Sequence, residues 1–281
     1  MKFIVLISFL VQFTVNLPAQ LQFLKSYPLN QKLQEISGLE CIGDSLLLAH
    51  NDGGNDPVIF VLNMKGDILK ECRVYNAKNT DWEDITIDNS RNIYIGDIGN
   101  NENKRKKVRI LKISLDSVLT VDSVSAEIFP FTYPEQTTFP APDNNKYFDA
   151  ESLVFKDDSL WVFTKCRAVP FDGKSLVYAI PIKDLNIGNW KLMQYIIPGT
   201  KSWAKDSFTA ATSYKDYFLC ITYNRLIWYL KSNNEFKMTK KRRFNKYNQR
   251  ESIAVTSTGI VYVGNENHWL FGKQRLTKYK L

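Results

Sequence analysis

The sequence predicts an all-β protein: a β-propeller of five four-stranded blades, with six blades as the alternative. Three observations point there. A short motif recurs five times along the chain, and each copy opens a hairpin. The five hairpins share one residue count from motif centre to strand end. Helical patterning is almost absent, with no long stretch carrying a 3.6-residue apolar period between caps.

The motif copies are Glu35-Ile36-Ser37-Gly38-Leu39, Asp81-Trp82-Glu83-Asp84-Ile85, Asp149-Ala150-Glu151-Ser152-Leu153, Ser207-Phe208-Thr209-Ala210-Ala211 and Gln249-Arg250-Glu251-Ser252-Ile253. Each reads polar, any residue, Glu or hydroxyl, small or Asp, then apolar. Turn residues follow at Gly43-Asp44, Asp88 to Asn92, Lys156 to Asp158, Lys215-Asp216 and Ser257 to Gly259. The second strands run to Asn51, Asp97, Lys165, Tyr223 and Asn265, each equally far from its motif centre. Third strands are expected at residues 58–62, 108–113, 176–180, 226–230 and 268–271. Fourth strands are expected at 68–74, 126–132, 192–197 and 236–240. Residues 21–27 would complete the last blade and close the ring with both chain ends, or residues 275–280 would take that place. Residues 114–147, rich in proline, read as an outer strand and a long loop; a hidden sixth blade would have to lie there.

Residues 1–19 read as a secretory signal, and residues 20–281 as a single propeller domain. Met1-Lys2 is a short basic start, residues 3–15 are mostly apolar, and Ala19 offers a small residue for cleavage. That apolar run is too short to span a bilayer, and none of spanning length follows. A secreted, periplasmic or cell-surface location is expected. The four cysteines, Cys41, Cys72, Cys166 and Cys220, match no zinc spacing. They read as buried small hydrophobes, with Cys166 and Cys220 as the pair if a disulfide forms. The formal net charge is +8, much of it in the runs Lys104 to Lys107 and Lys240 to Arg243. These read as solvated loop and edge charge rather than a nucleic-acid surface, which would interleave aromatics or sit on a recognition helix.

In a propeller blade, the start of the innermost strand and the end of the second lie on one face. The equal spacing therefore gathers polar residues at the channel mouth. Glu83, Asp97, Glu151 and Glu251 are expected to hold a metal. Carboxylates packed together repel unless protonated, paired or bound to a cation, and calcium takes such oxygen ligands. Asn51, Asp52, Trp82, Asn100, Lys165, Tyr223, Asn265 and Glu266 are expected to line a ligand site. His50 and His268, the only two histidines, are the candidates for acid–base work. Each acid has an alternative role as a lock between blades. No Gly-x-Ser-x-Gly elbow, His-Glu-x-x-His helix or phosphate loop is present.

The motif series, with Glu-Ser-Leu at 151–153 and Glu-Ser-Ile at 251–253, resembles exported bacterial propellers of the SdiA-regulated and esterase-like phytase group. More distantly it is similar to the calcium-dependent gluconolactonase propellers. The resemblance implies acidic residues around a calcium near the channel and, in some members, hydrolysis of esters or lactones. Glu83, Glu151 and Glu251 match the acid that begins an inner strand; Ser37 and Thr209 depart from it. Two functions follow. One is a binding module for a small molecule, a glycan or an envelope protein, through calcium. The other is a calcium-dependent hydrolase of esters, lactones or phosphoesters.

Overall fold

The computed structural model describes residues 21–233 and 235–281. The expected export signal lies outside the described residues. The chain enters on β1 (Gln22–Pro28). Blade 1 follows as β2 (Ile36–Ile42), β3 (Leu46–Asn51), β4 (Val58–Asn63) and β5 (Ile68–Val74). Blade 2 begins with β6 (Trp82–Ile87), β7 (Asn92–Asp97) and β8 (Val108–Ser114). A short helix, α1 (Leu115–Thr120), and the two-residue β9 (Ser123–Val124) precede its outer strand, β10 (Glu127–Phe131). β9 runs parallel to β5, so this connection reaches back and adds a strand to blade 1.

Blade 3 is β11 (Asp149–Lys156), β12 (Ser159–Lys165), β13 (Ser175–Pro181) and β14 (Lys191–Ile196). After the short helix α2 (Trp203–Asp206), blade 4 is β15 (Ala210–Tyr214), β16 (Tyr217–Thr222), β17 (Arg225–Ser232) and β18 (Glu235–Arg243). Blade 5 is β19 (Arg250–Val255), β20 (Ile260–Asn265) and β21 (Arg275–Lys280), completed by β1 from the other end of the chain. The sheets are five, and residues 114–147 supply α1, β9 and β10 rather than a sixth blade.

One strand assignment is corrected. Residues 268–271 form a loop closed by a bridge between His268 and Gly272, not a third strand. Trp269 is 85% exposed there, so nothing buries an alternating face. Residues 275–280 bury Leu276 against blade 1 and Tyr279 against blade 4, and they form the third strand. The cysteine pair is corrected too, since all four thiols are free. Cys166 packs among blade 2 and 3 residues, and Cys220 packs between blades 3 and 4.

The core lies between blades. Trp161 and Phe163 of blade 3 meet Phe218 of blade 4 edge-on, with centroids 5.4 and 5.6 Å apart. Polar locks join the innermost strands. The Ser37 hydroxyl donates to the Glu83 carbonyl at 2.6 Å, and the Thr209 hydroxyl donates to the Arg250 carbonyl at 2.6 Å. The two hydroxyl copies of the motif thus tie blade 1 to blade 2 and blade 4 to blade 5. Asp84 is the central lock. It is fully buried, and it accepts the Ile85 N–H at 2.9 Å, the Leu153 N–H of blade 3 at 3.0 Å and the Ala211 N–H of blade 4 at 3.5 Å. Burial drives its carboxyl well above the usual range.

Both Asp84 oxygens accept backbone N–H groups, so an asparagine keeps one acceptor and turns its NH2 toward a donor. Asp84→Asn should therefore cost about 1–2 kcal/mol in urea unfolding. Asp84→Ala should cost about 2–4 kcal/mol, because it strands buried N–H groups on other blades. Equal losses for the two variants would show that charge, not the acceptor, holds the lock.

Candidate functional site at the channel mouth

The motif centre is a β-bulge. Pairing of the first two strands slips between Ile36 and Gly38, Trp82 and Asp84, Ala150 and Ser152, and Arg250 and Ser252. Ser37, Glu83, Glu151 and Glu251 are thus the extra residues. A bulge re-aims the side chain it carries. It gives a strand-starting acid an orientation that strict alternation would not.

The equal residue count conceals a difference in register. In blades 1, 2 and 5, Gly38 faces His50, Asp84 faces Gly96, and Ser252 faces Gly264. In blades 3 and 4, Ser152 faces Phe163 and Ala210 faces Ile221, one residue nearer the turn. Those two hairpins close with tight turns between Lys156 and Ser159 and between Tyr214 and Tyr217. Asp157, Asp158 and Lys215 take the positive φ that such turns need. Lys165 and Tyr223 therefore stand one step beyond Asn51, Asp97 and Asn265. A one-residue step reverses the side chain. The register counterparts of Lys165 and Tyr223 at the mouth are Asp52 and Glu266.

Asn51, Asp97 and Asn265 serve as braces. Asn51 donates to the Lys32 carbonyl at 2.7 Å, and Asn265 donates to the Glu266 carbonyl at 3.1 Å. Asp97, expected as a metal ligand, is fully buried and pairs with Arg105 at 2.8 Å and Arg109 at 2.6 Å. Part of the Lys104–Lys107 run is thus an internal clamp rather than solvated charge. Asn100 joins blade 2 to blade 3. Its N–H donates to Asp149 at 2.7 Å and its amide donates to the Phe148 carbonyl at 3.0 Å. Trp82 is buried, not a platform, and meets His50 edge-on at 5.4 Å. His50 is also buried, with Nδ1 against the Asn51 carbonyl at 3.0 Å, and burial lowers its pKa to about 4. His268 lies in the closed loop, its ring stacked on Phe271 at 4.6 Å.

The structure does bring Asp52, Glu83, Glu151, Lys165, Tyr223, Glu251 and Glu266 together, and it adds Asp81, Asp149 and Arg167. Two acidic groups form there. One oxygen from each of Asp52, Asp81 and Glu83 lies within 4.8 Å of the others, and the same holds for Glu83, Asp149 and Glu151. The second group carries its own cations. Lys165 pairs with Glu151 at 2.9 Å, and Arg167 pairs with Asp149 at 2.6 Å and Glu151 at 3.3 Å. Among the described residues no ion pair reaches Asp52, Asp81 or Glu83. Glu83 is 4% exposed, and its carboxylate has no hydrogen-bond donor among the described residues. The backbone leaves room for these acids only because two neighbours lack side chains. A Cβ on Gly99 would lie 2.1 Å from Glu83 Oε1, and one on Gly53 would lie 2.5 Å from Asp81 Oδ1.

The opposite wall is cationic and aromatic. Lys165 lies 5.2 Å from the Trp203 ring centroid and 5.5 Å from that of Tyr223, and Arg167 lies 5.1 Å from Trp203. Burial works against the charge on Lys165, but Glu151, Tyr223 and Glu251 hold its pKa well above the usual lysine range. Asp81, Asp149 and Arg167 escaped the expected metal and ligand sets. Period-two spacing was the available signal, since Asp81 and Asp149 each stand two residues before a bulged Glu, and Arg167 stands two after Lys165.

No family model and no curated protein matches the chain. Solved structures do resemble it. A glutaminyl cyclase from Myxococcus xanthus is 9% identical with a TM-score of 0.57, covering 94% of this chain and 97% of that one. The PQQ-bound aldose sugar dehydrogenase from Streptomyces coelicolor is 12% identical with a TM-score of 0.52, covering 93% and 98%. A luciferin-regenerating enzyme is 11% identical with a TM-score of 0.51, covering 88% and 78%. At such identities the likeness shows the fold alone: these are distant β-propellers.

Lost water, then mutual repulsion, raises Asp81 to about 7; lost water, with Glu251 and Glu35 adding to it, raises Asp52 to about 6. The unfolded carboxyl titrates near 4. Between about pH 4 and pH 7 the folded chain therefore holds more protons than the unfolded chain, and its stability falls as pH rises. Without divalent cations, the melting temperature should drop across that window. Asp81→Asn should flatten the drop, and an unchanged slope would show that Asp81 does not titrate there.

Proposed function

We propose that the chain is an exported binding propeller whose channel mouth holds calcium and, beside it, a small oxygen-rich ligand such as the end of a glycan. Asp52, Asp81 and Glu83 would take the ion, in place of a set that included Asp97. The observation that carries this reading is the Glu83 carboxylate, which is buried, undonated and shared by both acidic groups. A hard cation would remove the repulsion among the three acids and use oxygens that no side chain serves. Lys165 and Arg167 would accept an anionic or hydroxyl-rich part of the ligand. Trp203, 37% exposed above them, would stack on a sugar face or a planar group. The basic start and apolar run at residues 2–15 support export, and no helix among the described residues is long and apolar enough to cross a membrane.

Millimolar calcium should raise the melting temperature, and by linkage an ion at a hundred times its Kd adds about 2.7 kcal/mol. Glu83→Gln should abolish the shift while the chain still folds. Asp97→Asn should lower stability yet leave the calcium shift intact, because Asp97 belongs to the arginine clamp. A shift that survives Glu83→Gln would refute the ligand set, and no shift at all would refute the metal.

A second reading, a calcium-dependent hydrolase, is favoured by one observation. Asp81 is only half-buried, so in this reading Asp52 and Glu83 hold the ion while Asp81 stays free to activate water. The resemblance to esterase-like propellers points the same way. Turnover of an aryl ester, lactone or phosphoester that needs calcium and drops at least about a hundredfold in Asp81→Asn would establish it. Binding without turnover across that panel would leave the binding module.

A further inference from the structure

The basic run at Lys240 to Arg243 closes the outer strand of blade 4, where alternation should send its charges to both sides of a sheet edge. Lys240 does turn away and covers the Trp228 ring at 4.6 Å. Lys241, Arg242 and Arg243 instead line a cavity of about 400 Å³, together with Arg225 and Lys201. The register explains the crowding, because Arg243 is paired directly with Arg225.

The charges in this cavity do not balance. Its five cations share a single carboxylate, Asp206. That carboxylate is already engaged, with one oxygen on the Arg225 guanidinium and the other accepting the Lys201 N–H at 2.7 Å. Lys241 donates to a neutral acceptor, the Pro198 carbonyl, at 2.6 Å. Arg242 Nε is shielded from water and has no hydrogen-bond partner. Lost water, then the nearby Arg225, lowers the Lys241 pKa. A buried donor on a guanidinium without an acceptor is costly, and like charges around it add to the cost.

We infer that this cavity is an oxyanion site, distinct from the channel mouth, that takes a phosphate group. Guanidinium groups match tetrahedral oxyanions with paired donors, and those of Arg242 and Arg243 have no carboxylate partner among the described residues. Thr200 also lines the cavity. The cavity is larger than one phosphate, so the group fits as a free ion or as the head of a larger molecule.

The test uses the mature full chain. Calorimetry and thermal melting are run with inorganic phosphate, against sodium chloride at equal ionic strength, and sedimentation is run with phosphatidic acid vesicles against neutral vesicles. Phosphate should bind and raise the melting temperature beyond the chloride control. Arg242→Gln and Lys241→Gln should each weaken it by about tenfold or more. Glu83→Gln should leave phosphate binding unchanged, which separates this site from the mouth. Loss of vesicle binding in the same two variants would identify a lipid head as the source, and binding of free phosphate alone would identify the soluble ion. Lys241→Gln keeps the test open should Arg242→Gln fail to fold. No response to either probe, or wild-type affinity in a folded variant, would overturn the site.

Discussion

Everything in this molecule hangs on a ring that must close. Each blade is a separate sheet that buries its faces only against its neighbours, so an unclosed ring would leave an apolar face of blade 1 and one of blade 5 bare. Pairing β1 with β21 puts the first described strand on the outer edge of the last blade, so both chain ends are spent on closure. With the ring closed, the innermost strands stand around a narrow axis, and polar side chains at their starts have nowhere to go but toward one another. Asp84 shows the consequence, since one carboxyl from blade 2 reaches backbone groups of blades 3 and 4.

That crowding gives acids two fates, decided by what reaches them. Asp97 is met by two arginines and becomes a clamp. Asp84 is met by backbone N–H groups and becomes a lock. Asp149 and Glu151 are met by Arg167 and Lys165 and form a neutralised wall. Asp81 and Glu83 are met by none of these and Asp52 only by the Gly53 N–H, and glycines at 53 and 99 keep the space beside them clear. The same residue type, at similar places in the repeat, is structural or available according to one question: whether a donor lies within reach.

Electrostatic asymmetry recurs farther out. The mouth has acids without cations on one side, whereas the blade 4 cavity has cations without acids. α2 lies between the two, with Trp203 over Lys165 and Arg167 and Asp206 on Arg225. Both imbalances sit on a scaffold whose apolar contacts between blades are well made, so the fold can carry local electrostatic cost.

By itself the sequence determined the architecture. Turn residues, alternating strands and five motif copies are local signals, and they sufficed for five blades and for the face where polar residues gather, but they misplaced the last blade's third strand and left its closing strand between residues 21–27 and 275–280. The bulge at the motif centre left no trace in spacing, since blade 4 has the same residue count without one. Tertiary structure decided which side chains serve. Turns of different length with equal residue counts set Lys165 and Tyr223 a step apart from Asn51, Asp97 and Asn265, and side-chain direction reverses at every step. Partners distant in sequence, such as Arg167 for Glu151 or Ala211 for Asp84, are joined only when blades meet. Identity and spacing within a strand are carried by the chain; burial and neutralisation belong to the ring.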